Sequence, residues 1–252
     1  MERPRTLALV LEYDGTGYHG FQRQDGLPSI AERLEDALQT AFGHPVAVTA
    51  AGRTDKGVHA TGQVVSCTTT SQMPLRRIAV ALSAMLRPHR IAVLRAVERP
   101  AGFSARRDAI GRTYRYQILN RVAPSPLFAL RAFHVSAQLD GEAMRRATQA
   151  LVGEHDFAAF CAMESRAKRT IRNVGSIELE RRGDFLDIVI SADSFLHNMV
   201  RIIAGTIIEV GRRRRPPAEV QAILDSRSRP RAGFTAPAHG LYLERVDFAP
   251  PL

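Results

Sequence analysis

Strand-like and helix-like runs alternate along this chain with hairpin-length links, and the series runs through twice. That order constrains the fold more than any single motif. Doubly wound α/β sheets need a long crossover between parallel strands, whereas short links return the chain antiparallel. The first series starts with an apolar strand over 6–13 that ends at the turn Asp14-Gly15. Ser29 caps a helix to about residue 41, with Ile30, Leu34, Ala37, Leu38 and Ala41 on one stripe and Glu32 in the capping-box position. A strand over 46–51, a polar loop over 52–62 and a strand over 63–67 follow. Pro74 opens a helix to 86, and 91–97 reads as a fourth strand. Pro100-Ala101-Gly102 punctuates. The second series has strands at 112–119 and 132–135, a helix over 139–151 and a hairpin of 171–180 with 185–192. An apolar helix over 195–210, a shorter one over 217–224 and a strand over 241–248 complete it. The expected fold is α+β, with two similar α/β subdomains, 1–102 and 103–252, and mainly antiparallel sheets.

Composition narrows the function. The 252 residues are 45% hydrophobic and 24% charged, enough for one large domain or two small ones. This excludes a disordered tail, a collagen-like fibre and a disulfide-stapled miniprotein. Cys67 and Cys161 make no framework, which points to a reduced protein. No run approaches the roughly 18–20 apolar residues of a membrane span. The N-terminus has no signal-peptide layout, so the cytoplasm is expected. There are 35 basic and 25 acidic residues, a net charge of +10, and lysine occurs only at Lys56 and Lys168. Arginine suits phosphate, because its planar fork holds two oxygens at once. A GC-rich coding bias explains the arginine-to-lysine ratio but not the surplus, which points to nucleic acid.

Two glycine-containing stretches compete for attention. Gly15-Thr16-Gly17-Tyr18-His19-Gly20 matches the dinucleotide fingerprint and follows a strand. That site needs its third glycine in the opening turn of a helix, yet residues 21–28 intervene, and no acidic residue closes the second strand. A nicotinamide enzyme is set aside. The second stretch is Ala51-Gly52-Arg53-Thr54-Asp55-Lys56-Gly57-Val58-His59-Ala60-Thr61-Gly62-Gln63. Its three glycines let the backbone approach a ligand, and it gathers one carboxylate and two cations. Read alone, it is either a long hairpin connection with Asp55 as a turn residue, or a site.

This loop resembles the GRTDxGVHA signature of the tRNA pseudouridine synthase A family at every fixed position. Tyr13-Asp14-Gly15 with Gly20-Phe21-Gln22-Arg23-Gln24 resembles the family's N-terminal block, with Phe21 in place of a usual tryptophan. Phe103-Ser104-Ala105-Arg106 and Arg112-Thr113-Tyr114-Arg115-Tyr116 resemble its central block. Phe195-Leu196-His197-Asn198-Met199-Val200-Arg201 and Gly240-Leu241-Tyr242-Leu243 resemble its last two. The blocks lie in family order and cover nearly the whole chain.

The resemblance implies a pseudouridine synthase fold with a central basic cleft. It implies isomerisation of uridine at positions 38, 39 and 40 of the tRNA anticodon stem-loop, without a cofactor, by a homodimer. An isomerisation has no net redox, and the scattered histidines and cysteines offer no metal-ligand spacing. Asp55 is then the nucleophile or the glycal-forming base. Arg201 is its candidate partner, an arginine in an apolar run that otherwise belongs to an exposed stripe with His197 and Asn198. Tyr114 stacks on uracil or handles a proton, or else is core beside Tyr116 on one strand face. Arg53 pairs locally or enters the stem as the uridine flips. Lys56, Arg106, Arg112 and Arg115 are candidate phosphate contacts. The run 212–215 is either a solvated face or a further RNA contact, and His59 is structural. The rival readings are an RNA-binding homologue without catalysis and a synthase acting on another RNA stem-loop.

Overall fold

The computed structural model describes residues 3–163 and 169–252, so Lys168 lies outside the described residues. In chain order the elements are β1 (Arg5–Tyr13), α1 (Ile30–Phe42), β2 (Thr49–Ala50), β3 (His59–Thr69), α2 (Leu75–Leu86), β4 (Ile91–Arg99) and β5 (Ala109–Leu119). There follow β6 (Phe133–His134), α3 (Gly141–Thr148), β7 (Gly153–Asp156), β8 (Ile171–Arg182), β9 (Phe185–Ala192), α4 (Met199–Gly211), α5 (Glu219–Ser226) and β10 (Leu241–Phe248). The protein is α+β with mainly antiparallel sheet. Among the described residues no helix is long and apolar enough to cross a membrane.

Two compact units form, Met1–Arg112 with Leu243–Leu252, and Thr113–Tyr242. Their limits differ from the expected subdomains 1–102 and 103–252. The reason is that β5 starts in the first unit and β10 ends in it, and an unbroken strand cannot be divided at a turn signal.

In the first unit the strand order is β4-β1-β3-β10, with β2 on β3. β1 runs antiparallel to both neighbours, with Leu9 opposite Val65 and Ala96. Leu7, Leu9 and Leu11 alternate along it and are fully buried. Ile30, Leu34 and Leu38 form one stripe of α1, and Ile78, Leu82 and Leu86 one stripe of α2. Each such side chain contributes about 1.5–3 kcal/mol by leaving water. The Ser29 side chain caps α1 by accepting the Glu32 N–H at 3.3 Å, and Gly43 closes the helix in the left-handed region.

In the second unit the order is β5-β9-β8-β7, and β6 lies parallel to β5. β8 and β9 form the expected hairpin, with Ile177 opposite Ile190. α4 is buried along almost its whole surface and packs on α3. A side chain at Gly211 would meet the Met144 sulfur at 2.6 Å.

Four local expectations are corrected. The strand over 46–51 shrinks to β2, because the Val48 N–H donates to the Glu35 carboxylate (3.0 Å) instead of to a ladder. β3 starts at His59, inside the expected loop. β7 had no sequence signal, since Gly153-Glu154-His155-Asp156 has no apolar alternation. The helix over 195–210 starts only at Met199, because Asn198 adopts φ 61°.

Cys67 is buried in β3, and burial pushes its thiol up to about 12. Tyr13 is pushed up to about 12 by burial, against hydrogen bonds from Thr54 and Gln63, and Tyr116 is raised as well. These groups are protonated when folded and ionise more readily when unfolded. Their stabilisation is therefore complete below about pH 9, the ordinary thiol range, and is lost as pH rises towards 12. Chemical denaturation between pH 8 and 11 should show a falling midpoint above pH 9. A flat midpoint across that range would contradict the burial of these groups.

Candidate active site

The Asp55 loop is short and heavily braced. β3 takes residues from 59 onward, leaving 51–58 to bulge between strands. Thr54 is buried, and its hydroxyl lies 2.7 Å from the Tyr13 hydroxyl. The Thr54 carbonyl accepts the Phe21 N–H at 3.0 Å. The turn over 55–58 closes with the Val58 N–H on the Asp55 carbonyl (3.1 Å), while the Gly57 N–H reaches the Tyr18 carbonyl at 3.3 Å. At the root of the loop, Gln63 donates from Nε2 to the Gly52 carbonyl at 2.7 Å and accepts the Gly52 N–H at 3.4 Å. His59 is buried; its Nδ1 accepts the Gly15 N–H (3.0 Å) and lies 3.2 Å from Asp14 Oδ1, which fits its structural role. Asp55 itself is half-buried on this frame.

Backbone proximity explains the N-terminal glycines that imitated a dinucleotide fingerprint. A Cβ on Gly15 would lie 2.0 Å from the Val58 carbonyl oxygen. Gly20 has φ 99°, and a Cβ there would lie 2.7 Å from the Thr54 carbonyl oxygen. Both glycines let residues 15–21 press directly on the Asp55 loop.

The basic candidates divide sharply. Arg53 and Lys56 are exposed and flank Asp55 in sequence. Arg106 is exposed too, beyond β4. Arg112 instead donates from Nη2 to the carbonyls of Ala51 (2.9 Å) and Arg106 (3.3 Å), and from Nη1 to that of Ala109 (3.3 Å). It ties the root of the Asp55 loop to the start of β5. Arg112→Ala is expected to lower the turnover number about tenfold while the salt dependence of RNA binding stays unchanged, because its guanidinium is engaged by three backbone carbonyls. A salt slope reduced by about one would instead make Arg112 a phosphate ligand.

The other candidates lie in the second unit. Tyr114 is buried, with its ring edge-on to Phe195 at 5.0 Å. Tyr116 is fully buried and donates to the Pro237 carbonyl at 2.8 Å, so it is core as expected. Arg201 sits in the first turn of α4. Its Nε donates to the Ala236 carbonyl at 2.7 Å and its Nη1 to Asn198 Oδ1 at 2.7 Å, and its own carbonyl accepts the Ala236 N–H at 3.1 Å. The alternative reading of an exposed helical stripe of His197, Asn198 and Arg201 does not hold, because the first two precede the helix. Arg115 lies 4.6 Å from the centre of the Tyr242 ring and 3.8 Å from the buried Asp187 carboxylate. The run 212–215 is no uniform solvated face: Arg215 pairs with Glu209 (2.5 Å) and Glu219 (2.6 Å), and Arg213 with Asp140 (3.3 Å).

Sequence reasoning missed the bracing set of Tyr13, Thr54, Gln63 and Ala236. Tyr13 was visible only as a member of the N-terminal block, Thr54 and Gln63 only as members of the loop stretch itself, and Ala236 carried no signal.

The first unit thus carries a half-buried aspartate on a braced glycine loop, and the second a buried tyrosine and an anchored arginine. The tRNA pseudouridine synthase family matches it over residues 9–106 and 147–249. The tRNA pseudouridine synthase A of Acetivibrio thermocellus is 44% identical over 97% of this chain and 100% of its own length. That of Myxococcus xanthus is 44% identical over 96% and 91%. Among solved structures, the chain is similar to one in a Cbf5-Nop10-Gar1 complex at 12% identity and a TM-score of 0.36, over 80% of this chain and 45% of that one. The protein belongs to the tRNA pseudouridine synthase family.

Proposed function

We propose that this protein isomerises uridine to pseudouridine at positions 38, 39 and 40 of the tRNA anticodon stem-loop, with Asp55 as the reacting carboxylate and no cofactor. The observation that carries the reading is the braced Asp55 loop, present with every fixed residue of the family signature. In the reaction the N1–C1′ bond breaks, the uracil turns, and C5 bonds to C1′ and releases its hydrogen. Asp55 acts either by adding to C1′ or by taking a ribose proton. An aspartate whose backbone is fixed on both sides is held in place as charge develops.

Tyr114 is proposed to stack on the uracil and to handle the proton at C5, a role supported by its clamping against Phe195. Arg201 is proposed as the carboxylate's partner, supported by a guanidinium held at Nε and Nη1. In this reading subdomain 1–102 brings the carboxylate, and subdomain 103–252 the tyrosine and the arginine. Arg53, Lys56 and Arg106 are proposed to hold substrate from exposed positions, and Arg112 and Arg115 through the walls they brace. The reading includes a homodimer working in the cytoplasm. The exposed Val122, Leu127 and Leu130 are apolar surface that such an assembly would cover.

The test is tritium release from an unmodified tRNA transcript carrying [5-³H]uridine. C5 loses its hydrogen only when it becomes the new glycosidic carbon. Release by the wild-type protein is expected. A transcript that binds without release would favour the non-catalytic RNA-binding reading.

A further inference from the structure

Helix α4 is entered against local preference. Asn198, the residue before it, has φ 61° and ψ 7°, the left-handed region that disfavours residues other than glycine, asparagine less than most. Asparagine is also among the best helix caps, because from an extended backbone its side-chain oxygen reaches the open N–H groups of the first turn. Here the side chain makes no capping bond. Asn198 Oδ1 instead accepts from Arg201 Nη1 at 2.7 Å. The oxygen, not the amide nitrogen, must face Arg201, since a guanidinium has only donors.

Arg201 is equally out of place by ordinary rules. It stands in the first turn of α4, at the positive end of the helix dipole, a place that favours an acidic side chain. Two separated oxygens hold it there: Asn198 Oδ1 at Nη1, and the Ala236 carbonyl at Nε, 2.7 Å away. One contact leaves a planar group free to swing about it, whereas two fix its direction. Both oxygens are neutral, so they orient the guanidinium without neutralising it. A carboxylate at 198 would orient it and cancel its charge. The backbone around 198 has its own ties. The Ile202 N–H donates to the Asn198 carbonyl, and the Ala162 N–H to the His197 carbonyl, both at 3.0 Å. Neither tie uses the Asn198 side chain.

We propose that Asn198 is a positioning residue for the reaction: through Oδ1 on Nη1 it aims the Arg201 guanidinium and leaves its charge for the reacting carboxylate. The inference rests on the proposed role of Arg201 and deepens it. The left-handed turn and the missing cap are local losses, and the orientation of Arg201 is what they are set against.

The test reads single-turnover tritium release, transcript binding and Tm. Asn198→Gly keeps the left-handed backbone and removes Oδ1. It should slow release about thirtyfold, the scale of one hydrogen bond to a charged group, with binding within about twofold and Tm within about 2 °C of wild type. Asn198→Ala removes the same oxygen and also disfavours the turn, so release should slow by the same factor and Tm should fall. Wild-type release by Asn198→Gly, with the loss confined to Asn198→Ala, would reduce Asn198 to a backbone turn and overturn the inference. Arg201→Lys supplies the second arm. Lysine has no planar fork to aim, so adding Asn198→Gly to it should slow release by less than about twofold more. Additive losses would overturn the inference, because Asn198 would then act apart from Arg201. The partner role of Arg201 fails separately. Wild-type release by Arg201→Lys would refute that role and this inference together, whereas slow release by Arg201→Lys with wild-type release by Asn198→Gly would refute this inference alone.

Discussion

Asp55→Asn is expected to abolish tritium release, lowering turnover by at least about 10⁴-fold, the scale on which a reacting group is lost, while transcript binding stays within about twofold. The amide has the shape of the carboxylate but not its charge or nucleophilicity. The frame of the loop has three ties that do not use that charge. Thr54 is held through its hydroxyl by Tyr13 and through its carbonyl by the Phe21 N–H, and the Asp55 carbonyl accepts the Val58 N–H. All three survive the substitution. Binding and turnover should therefore separate cleanly. A variant that keeps a tenth of wild-type activity would remove Asp55 from the chemistry. Loss of binding together with turnover would show that the charge shapes the loop.

The second large effect is a loss of stability. Gly205→Ala places a methyl group where the Phe234 carbonyl oxygen stands 1.8 Å from the ideal Cβ position. The obstacle is backbone, so no side chain can swing aside. The segment over 233–236 must lift from α4, and it is well tied there. The Gly233 N–H donates to Thr206 Oγ1 at 2.9 Å, and Ala236 exchanges hydrogen bonds with Arg201 in both directions. Overpacking of this kind costs about 3 kcal/mol, which lowers Tm by roughly 6–12 °C in a chain of this size. Turnover should fall with it, since the displaced segment anchors Arg201. Gly141→Ala is the control: nothing lies within 4 Å of its Cβ position, and it opens α3. A Tm shift under 2 °C for Gly205→Ala would contradict the close approach of 233–236 to the helix.

Local signals carried most of the elements. β1, the Ser29-capped α1, α2 after Pro74 and the β8–β9 hairpin follow from period, cap and turn residues alone. The failures came where distant groups decide. Val48 leaves its strand for a carboxylate on α1, and Asn198 takes a left-handed conformation inside an apolar run that reads as helix. The site divides the same way. Residue types within the loop left Asp55 between a turn and a site, and only the signature the loop resembles singled it out. Its bracing by Tyr13 and Gln63, and the capture of Arg112 by three carbonyls, join positions tens of residues apart and leave no local periodicity. Identical-looking arginines separate into tied and untied ones only when their partners are in place.

The return of 243–252 to the first unit has a consequence during synthesis. Strand β10 neighbours β3 there, so closely that a Cβ on Gly62 would lie 2.2 Å from the Glu244 carbonyl oxygen. The unit bearing Asp55 is translated first and completed last. At about 5–20 residues per second, roughly 9–35 seconds separate the appearance of β3 from that of its partner strand. Until β10 clears the ribosome, the edge of β3 lacks that neighbour, and a nascent chain stalled anywhere in the second unit carries the Asp55 loop on an unfinished sheet. The Asp55 loop is thus tied to the synthesis of β10, and products truncated before β10 should lack activity even when they contain every residue around Asp55.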